Sequence, residues 1–169
     1  MSPRKATLED IPQLEILINS AYRGDSSKKG WTTEADLLDG IRTDADSLKE
    51  MITKSNAVIL QSFNEHNLLQ GCVYLEKRHN KMYLGLLTVS PTLQAKGIGK
   101  QLLIEAEKYA KSQRCSFVEM TVISIRTELI EGYKKHGYKD IGEKKPFPND
   151  LKFGIPKQPL EFIVMQREI

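Results

Sequence analysis

Residues 86–106 read LLTVSPTLQAKGIGKQLLIEA, and the parsing of this stretch decides the fold. Residues 84–89 form an apolar, strand-like run that Ser90-Pro91 interrupts. A loop follows with Gly97 and Gly99 two positions apart, and then Leu102, Leu103 and Ala106 fall at helical spacing. A glycine-bearing loop that opens directly into a helix lets unpaired backbone N–H groups converge on an anion. Phosphate is the natural guest, and a simple tight turn is the alternative.

Spacing separates the phosphate loops. A dinucleotide fingerprint needs G-x-G-x-x-G, but the third glycine position holds Leu102. A Walker-type loop needs G-x-x-x-x-G-K-[ST], but Gln94 occupies its first glycine position and Gln101 replaces the Ser/Thr that would hold magnesium. What remains is Val89-x-Pro91-x-x-Gln94-Ala95-Lys96-Gly97-Ile98-Gly99-x-x-Leu102-Leu103. This string resembles the acyl-CoA pyrophosphate loop of the GNAT acyltransferase superfamily. The resemblance implies acetyl-CoA as co-substrate, held by Leu87 and Val89 at the strand end and by Gln94, Ala95, Lys96, Gly97, Ile98, Gly99 and Lys100. Glycines let the backbone approach the pyrophosphate, and the helix dipole adds roughly 0.3–1 kcal/mol per favourable charge.

The bulk composition suits such a protein. At 169 residues the chain has the length of one domain, spanning 1–169. A domain of that size buries about 70% of the surface its unfolded form exposes. Hydrophobic residues at 40% and charged ones at 28% fit a globular protein with no membrane span. A net charge of +3 over 25 basic and 22 acidic residues gives no case for nucleic acid. Cys72 and Cys115 sit in apolar runs and read as buried small hydrophobes in a reducing compartment. The opening MSPRKATLED lacks the apolar core of a signal peptide, so the expected address is cytoplasmic.

Along the chain, residues 3–6 read as a short strand. Asp10 with Gln13 makes a capping box for a helix carrying Ile11, Leu14, Leu17, Ile18, Ala21 and Tyr22, with Thr7 as the alternative cap. Residues 23–30, RGDSSKKG, read as a solvated loop rather than an adhesion motif. Residues 31–53 read as two short helices separated by Gly40, the first begun by Thr32 or Thr33 and the second by Thr43 or Asp44. Six acids in this segment, Glu34, Asp36, Asp39, Asp44, Asp46 and Glu50, face only Arg42 and Lys49. They read either as a solvated helix face or, by the GNAT resemblance, as the wall of an acceptor site that favours a cationic amine. Trp31 beside them would line that pocket or pack in the core.

Strands follow at 57–63, 68–77 and 82–89, then a helix from Ile98 to about Ser112 and a crossover strand at 115–123. His66 and His79 sit in polar turns without metal-ligand spacing, so no metal is expected. In the GNAT pattern the strands at 82–89 and 115–123 splay apart, and pantetheine slots between them.

A second motif follows, Arg126-Thr-Glu-Leu-Ile-Glu-Gly-Tyr133-Lys-Lys-His-Gly137-Tyr138. Leu129, Ile130 and Tyr133 share a helical face and Gly137 ends the helix as a left-handed cap. This resembles the second GNAT signature and implies that Tyr133 is the general acid that protonates departing CoA thiolate. Where the family often carries Asn, this chain has Arg126, which would hydrogen-bond a pantetheine carbonyl or the acceptor's carboxylate. Many relatives also carry a glutamate base on the strand before the loop, whereas Tyr83-Leu84-Gly85-Leu86-Leu87 offers none. Freeing an α-amino group at neutral pH costs roughly 1.1 kcal/mol, and freeing a lysine-like amine roughly 4.6 kcal/mol. Water serves the first, and the second wants a carboxylate. Glu119 in its apolar strand is the candidate base, or else a solvent-facing edge residue, with His136 a further choice.

The tail reads as strands at 138–144 and 160–166 around a loop stiffened by Pro146, Pro148, Pro156 and Pro159. Phe147 and Phe153 on that loop are expected to border the acceptor pocket, and an exposed edge strand there would permit a homodimer. By resemblance, then, the chain is an α/β protein with a mixed, mostly antiparallel sheet and helices on both faces. It would transfer an acetyl group from acetyl-CoA to a primary amine of a small molecule or peptide, with Trp31, Glu34 and Phe147 at the acceptor. A non-catalytic acyl-CoA-binding or sensing module is the alternative.

Overall fold

A computed structural model describes residues 3–23, 33–93, 97–148 and 151–169. Nine strands are described: β1 Arg4–Lys5, β2 Leu38–Asp39, β3 Ala57–Phe63, β4 Leu69–Arg78, β5 Lys81–Val89, β6 Phe117–Ile123, β7 Lys139–Pro146, β8 Ile155–Pro156 and β9 Glu161–Glu168. The described helices are α1 Ile11–Tyr22, α2 Ala45–Thr53, α3 Ile98–Ser112 and α4 Thr127–Lys135. Seven strands form one sheet in the order β1-β3-β4-β5-β6-β9-β7, and β2 pairs with β8 separately. Within these sheets only β5 and β6 run parallel. The mixed, mostly antiparallel sheet agrees with the sequence reading.

The two-residue period of the strands sorts side chains into two apolar layers. Leu14, Leu17, Ile18 and Ala21 of α1 and Leu48 of α2 pack on Ile59, Cys72, Tyr74 and Leu86. On the opposite face Leu102, Leu103, Ala106 and Ala110 of α3, with Ile130 and Tyr133 of α4, pack on Val58, Val73, Leu84, Val118 and Met120. The amphipathic spacing in α3 places its apolar stripe on the sheet, as its sequence predicts.

One interruption matters for the site. Tyr74 opposes Gly85 and Cys72 opposes Thr88, so β5 carries an extra residue against β4. Leu86 at this bulge has φ +50°, and the alternation slips there. Met82 and Leu84 face the α3–α4 layer, Leu86 the other layer, and Leu87 and Val89 the first again. The alternation in sequence gave no sign of this step.

Other departures are local. Thr7 and Asp10 form a reciprocal cap on the short 3-10 turn Leu8–Asp10, with the Thr7 N–H donating to Asp10 Oδ2 at 2.8 Å, and Asp10 is the residue before α1 without capping it through its side chain. The second helix in the acidic segment is present as α2, capped by Asp44, whose Oδ1 accepts from the Ser47 N–H at 2.8 Å. For the first expected helix, the described residues instead make a turn from Glu34 to Leu38 that enters β2. No helix among the described residues is long and apolar enough to cross a membrane. β7 is the sheet edge and is exposed along its length.

Candidate active site

Strands β5 and β6 pair only from Lys81–Phe117 to Tyr83–Glu119. Beyond that point no ladder joins them, and a cavity of about 380 Å3 opens between Leu84–Leu87 on one side and Met120–Ile123 on the other. The splay expected from the resemblance is present. Phe147, Phe153 and Phe162 cover the cavity, and the Phe147 and Phe162 rings tilt against each other with centroids 5.3 Å apart. Phe147 and Phe153 therefore border the cleft as the loop's position suggested.

The bulge in β5 is held from the α1 layer. The Tyr22 hydroxyl donates to the Leu87 carbonyl, and Thr88 Oγ1 donates to the Leu86 carbonyl at 2.8 Å. Burial above all, with the Glu34 charge adding to it, pushes the Tyr22 phenol up to about 12, so it stays protonated as a donor.

At the end of the cleft beside α1 lies a charged group that the sequence reading did not assemble. Arg23, read as part of a solvated loop, is 6% exposed. Its Nη2 and Nε donate to Glu34 Oε1 at 2.8 and 3.2 Å, and its Nη1 donates to the carbonyls of Ile41 and Phe153, both at 2.8 Å. One guanidinium thus ties the end of α1, the acidic segment and the proline-rich loop together. Gly154 permits the approach: its φ is +157°, and a Cβ there would come within 3.3 Å of Arg23 Nη1 and 3.1 Å of a Leu38 methyl. Glu34 Oε2 lies 3.9 Å from Arg126 Nη1. The Arg42 guanidinium stacks over the Tyr22 ring, 5.3 Å from its centroid.

Tyr133 stands where this cleft meets a second depression of about 480 Å3, lined by Gly99, Lys100 and Leu103 of α3 and by Glu128, Leu129, Gly132, Lys135 and His136. No group among the described residues hydrogen-bonds its hydroxyl. Burial raises the phenol's pKa above its ordinary value, with the neighbouring Arg126 charge acting against that, and it carries its proton throughout the neutral range. Gly97 begins α3 in the left-handed region at φ +79°, no side chain among the described residues caps the helix, and a Cβ at Gly97 would meet open space. This fits a bound diphosphate: first-turn N–H groups that no side chain caps, two lysines nearby, and an apolar slot leading inward.

Several expected residues stand elsewhere. Gln94, Ala95, Lys96 and Trp31 lie outside the described residues. Val89 is buried at the end of β5 and Ile98 packs on the sheet, and neither lines the cleft or the depression. Glu119, the candidate base, belongs to the paired end of β5 and β6; it accepts from Gln166 Nε2 at 2.9 Å, lies 3.7 Å from Lys81 Nζ, and does not line the cleft. Its register partner Tyr83 lines the cavity, while the Glu119 carboxylate is engaged by Gln166 and Lys81. His136 lines the depression rather than the cleft, with Nε2 3.2 Å from Glu107 Oε2. Glu107, which the sequence reading passed over, is buried and also bonds Tyr138 and Arg167. Arg126, expected at a pantetheine carbonyl or the acceptor's carboxylate, lines the cleft and faces Glu34.

The acidic segment also changes meaning. Asp36, Asp46 and Glu50 are exposed, and Asp44 is spent on its cap and on Lys152 at 3.3 Å. Among the described residues Glu34 is the only carboxylate lining the cleft, against three arginines, so the expected anionic wall is absent there. Arg23 and Glu34 are 11 residues apart with a loop between them, a relation that no local periodicity reveals. Arg42 did carry a signal, as a lone arginine among acids.

Comparison with known proteins agrees with this architecture. The family model for the acetyltransferase (GNAT) domain matches residues 32–153. The fold is similar to ribosomal-protein-alanine N-acetyltransferase from Brucella melitensis, at 18% identity over 100% of both chains and a TM-score of 0.74. It is similar also to ribosomal-protein-S18-alanine N-acetyltransferase from Escherichia coli, at 11% identity over 99% of this chain and 93% of that one, TM-score 0.74. The PaiA N-acetyltransferase from Thermoplasma acidophilum, in complex with coenzyme A, aligns at 22% identity over 99% and 98% of the two chains, TM-score 0.67. At these identities the likeness is one of fold. No curated protein sequence matches the chain. With a family model spanning well over half its length and the same fold beneath it, the chain belongs to the GNAT acetyltransferases.

Proposed function

We propose that this enzyme acetylates a primary amine by direct attack of the neutral amine on the thioester of acetyl-CoA. The new N–C bond forms as the C–S bond breaks, and Tyr133 gives its proton to the leaving sulfur and regains one from solvent. The observation that carries this reading is the position of Tyr133, at the junction of the splayed cleft and the depression beside the glycine loop. Geometry matters more than acidity here, because a phenol that burial holds above its ordinary value serves a thiol near 8.5 only from close range. The bulge supports the other half of the reaction, since its residues Leu86 and Leu87 line the cleft, where a backbone N–H would polarise the reacting carbonyl.

Among the described residues no free carboxylate lines the cleft as a base. Glu34 is the one described carboxylate on the cleft, and it is bonded to Arg23. Proton removal therefore falls to water, and acceptors whose amine is readily neutral are favoured. The test is an assay of CoA thiol release from acetyl-CoA with a panel of α-amines, lysine-like amines and diamines. Turnover with an acceptor, and product carrying the acetyl group on nitrogen, is the expected result. Tight binding of acetyl-CoA with no turnover on any amine would instead favour the sensing module.

A further inference from the structure

The charge at the closed end of the cleft points to the acceptor's chemistry. Arg23, Arg42 and Arg126 line the cavity there, and Glu34 is the only described carboxylate that lines it with them. The Arg23–Glu34 pair consumes one positive and one negative charge, and Arg23 spends its remaining donors on Ile41 and Phe153. The cavity thus retains an excess of positive charge among the described residues. Arg42 bears most directly on it. Its guanidinium rests on the Tyr22 ring, and no described carboxylate bonds it. Its backbone is clamped by Asn19, whose Oδ1 accepts from the N–H groups of Arg42 and Thr43 at 2.7 and 3.0 Å and whose Nδ2 donates to the Thr43 carbonyl at 3.0 Å. A planar donor fork held on an aromatic face beside a cavity is built to take a carboxylate in two parallel hydrogen bonds.

We propose, resting on the acetyltransferase reading above, that the acceptor is a small amine bearing a carboxylate, with Arg42 receiving that carboxylate and Arg126 adding charge beside it. The excess of positive charge in the cavity suits an anionic, amino-acid-like molecule rather than a cationic polyamine. The same excess charge disfavours the ammonium form of a bound amine, which offsets the missing base.

The test pairs each of a set of amino acids with its carboxamide, and adds putrescine and a tetrapeptide whose N-terminal residue precedes an aspartate. Thiol release is measured with acetyl-CoA, rates being referred to the neutral amine. The expected result is a kcat/KM about ten- to a hundredfold higher for at least one amino acid than for its amide. Arg42→Gln should erase that preference through KM, and Arg42→Lys should keep part of it, while both variants bind acetyl-CoA as the wild type does. Amides equal to or better than acids, putrescine as the best acceptor, or no turnover of either member of any pair would overturn the inference and leave the acetyl-CoA site standing. Acetylation of the acidic tetrapeptide but of no free amino acid would overturn the commitment to a small molecule. Failure of the wild type to bind acetyl-CoA would overturn the acetyltransferase site and this inference with it.

Discussion

The two ends of the site are built in opposite ways. The end at the start of α3 is one continuous piece of chain, in which the close of β5, the glycines and the first turn of the helix follow each other in order. It presents the backbone N–H groups of a helix start and lysines that are exposed to solvent. The end beside α1 is gathered from the close of α1, the turn at Glu34, the backbone near Ile41, the start of α4 and the loop carrying Phe153. It presents three guanidiniums, of which that of Arg23 is buried and paired with Glu34. The first end tolerates substitution of a charge at little cost to folding. The second is part of what holds the molecule together, so specificity and stability are coupled there.

Four single substitutions and one double variant sharpen or break this contrast. The largest effect is expected where the two ends meet. Tyr133→Phe should lower kcat about 10²- to 10⁴-fold with acetyl-CoA affinity and thermal midpoint nearly unchanged, since the hydroxyl has no described partner to lose. Unchanged turnover on the true acceptor would remove Tyr133 from its role as acid. Next, Glu34→Gln leaves Arg23 buried beside a neutral amide and should cost about 3–5 kcal/mol in denaturant unfolding, a fall of about 10 °C in midpoint. Arg23→Met combined with Glu34→Leu should be less damaging than either change alone. Equal stability of Glu34→Gln and the wild type would show that the acceptor end is not structural.

A charge group remote from the site gives the control. Glu76 accepts from Tyr74 at 3.0 Å and is held by Lys54 and Arg78. Burial opposes its charge, but these bonds outweigh burial and bring the carboxyl down to about 2. Its stabilisation is therefore complete above the unfolded value near 4.5 and is lost as pH falls toward about 2. Glu76→Gln should cost about 1–2 kcal/mol at pH 7, the partners being half exposed, and the difference from wild type should vanish toward pH 2 with acetyl-CoA binding untouched. The smallest effect belongs to the first end. Lys100→Gln should weaken acetyl-CoA binding only about two- to fivefold, and high salt should erase the difference. A hundredfold loss would mean that side chains rather than backbone carry that end.

The same contrast governs what could be read from the chain. Strand β3 and helix α3 stand where periodicity and glycine placement put them, because both signals are local. The separation of β5 from β6 was legible only through the family resemblance, since nothing in the composition of either strand encodes where a ladder stops. The bulge at Leu86 was invisible because a run of leucines keeps its hydrophobicity when the alternation slips. Strands β2 and β8, two residues each, are too short to show any period. Arg23 was misread because its partner lies across a loop, and a charge in a polar stretch looks solvated until the fold supplies its counter-ion. Glu119 was misread because an acid in an apolar strand signals burial without saying which end of the cleft it occupies.

The central claim is that the glycine loop and the splayed strands together hold acetyl-CoA. The most direct measurement is a calorimetric titration of the protein with acetyl-CoA, repeated on Gly97→Glu, which sets bulk and negative charge at the start of α3. With φ at +79° the substitution also strains the backbone by about 1 kcal/mol, so the variant's unfolding is measured alongside. The account predicts micromolar binding by the wild type, lost in a variant that remains folded. Undiminished binding by the folded variant, or no binding by the wild type, would contradict it.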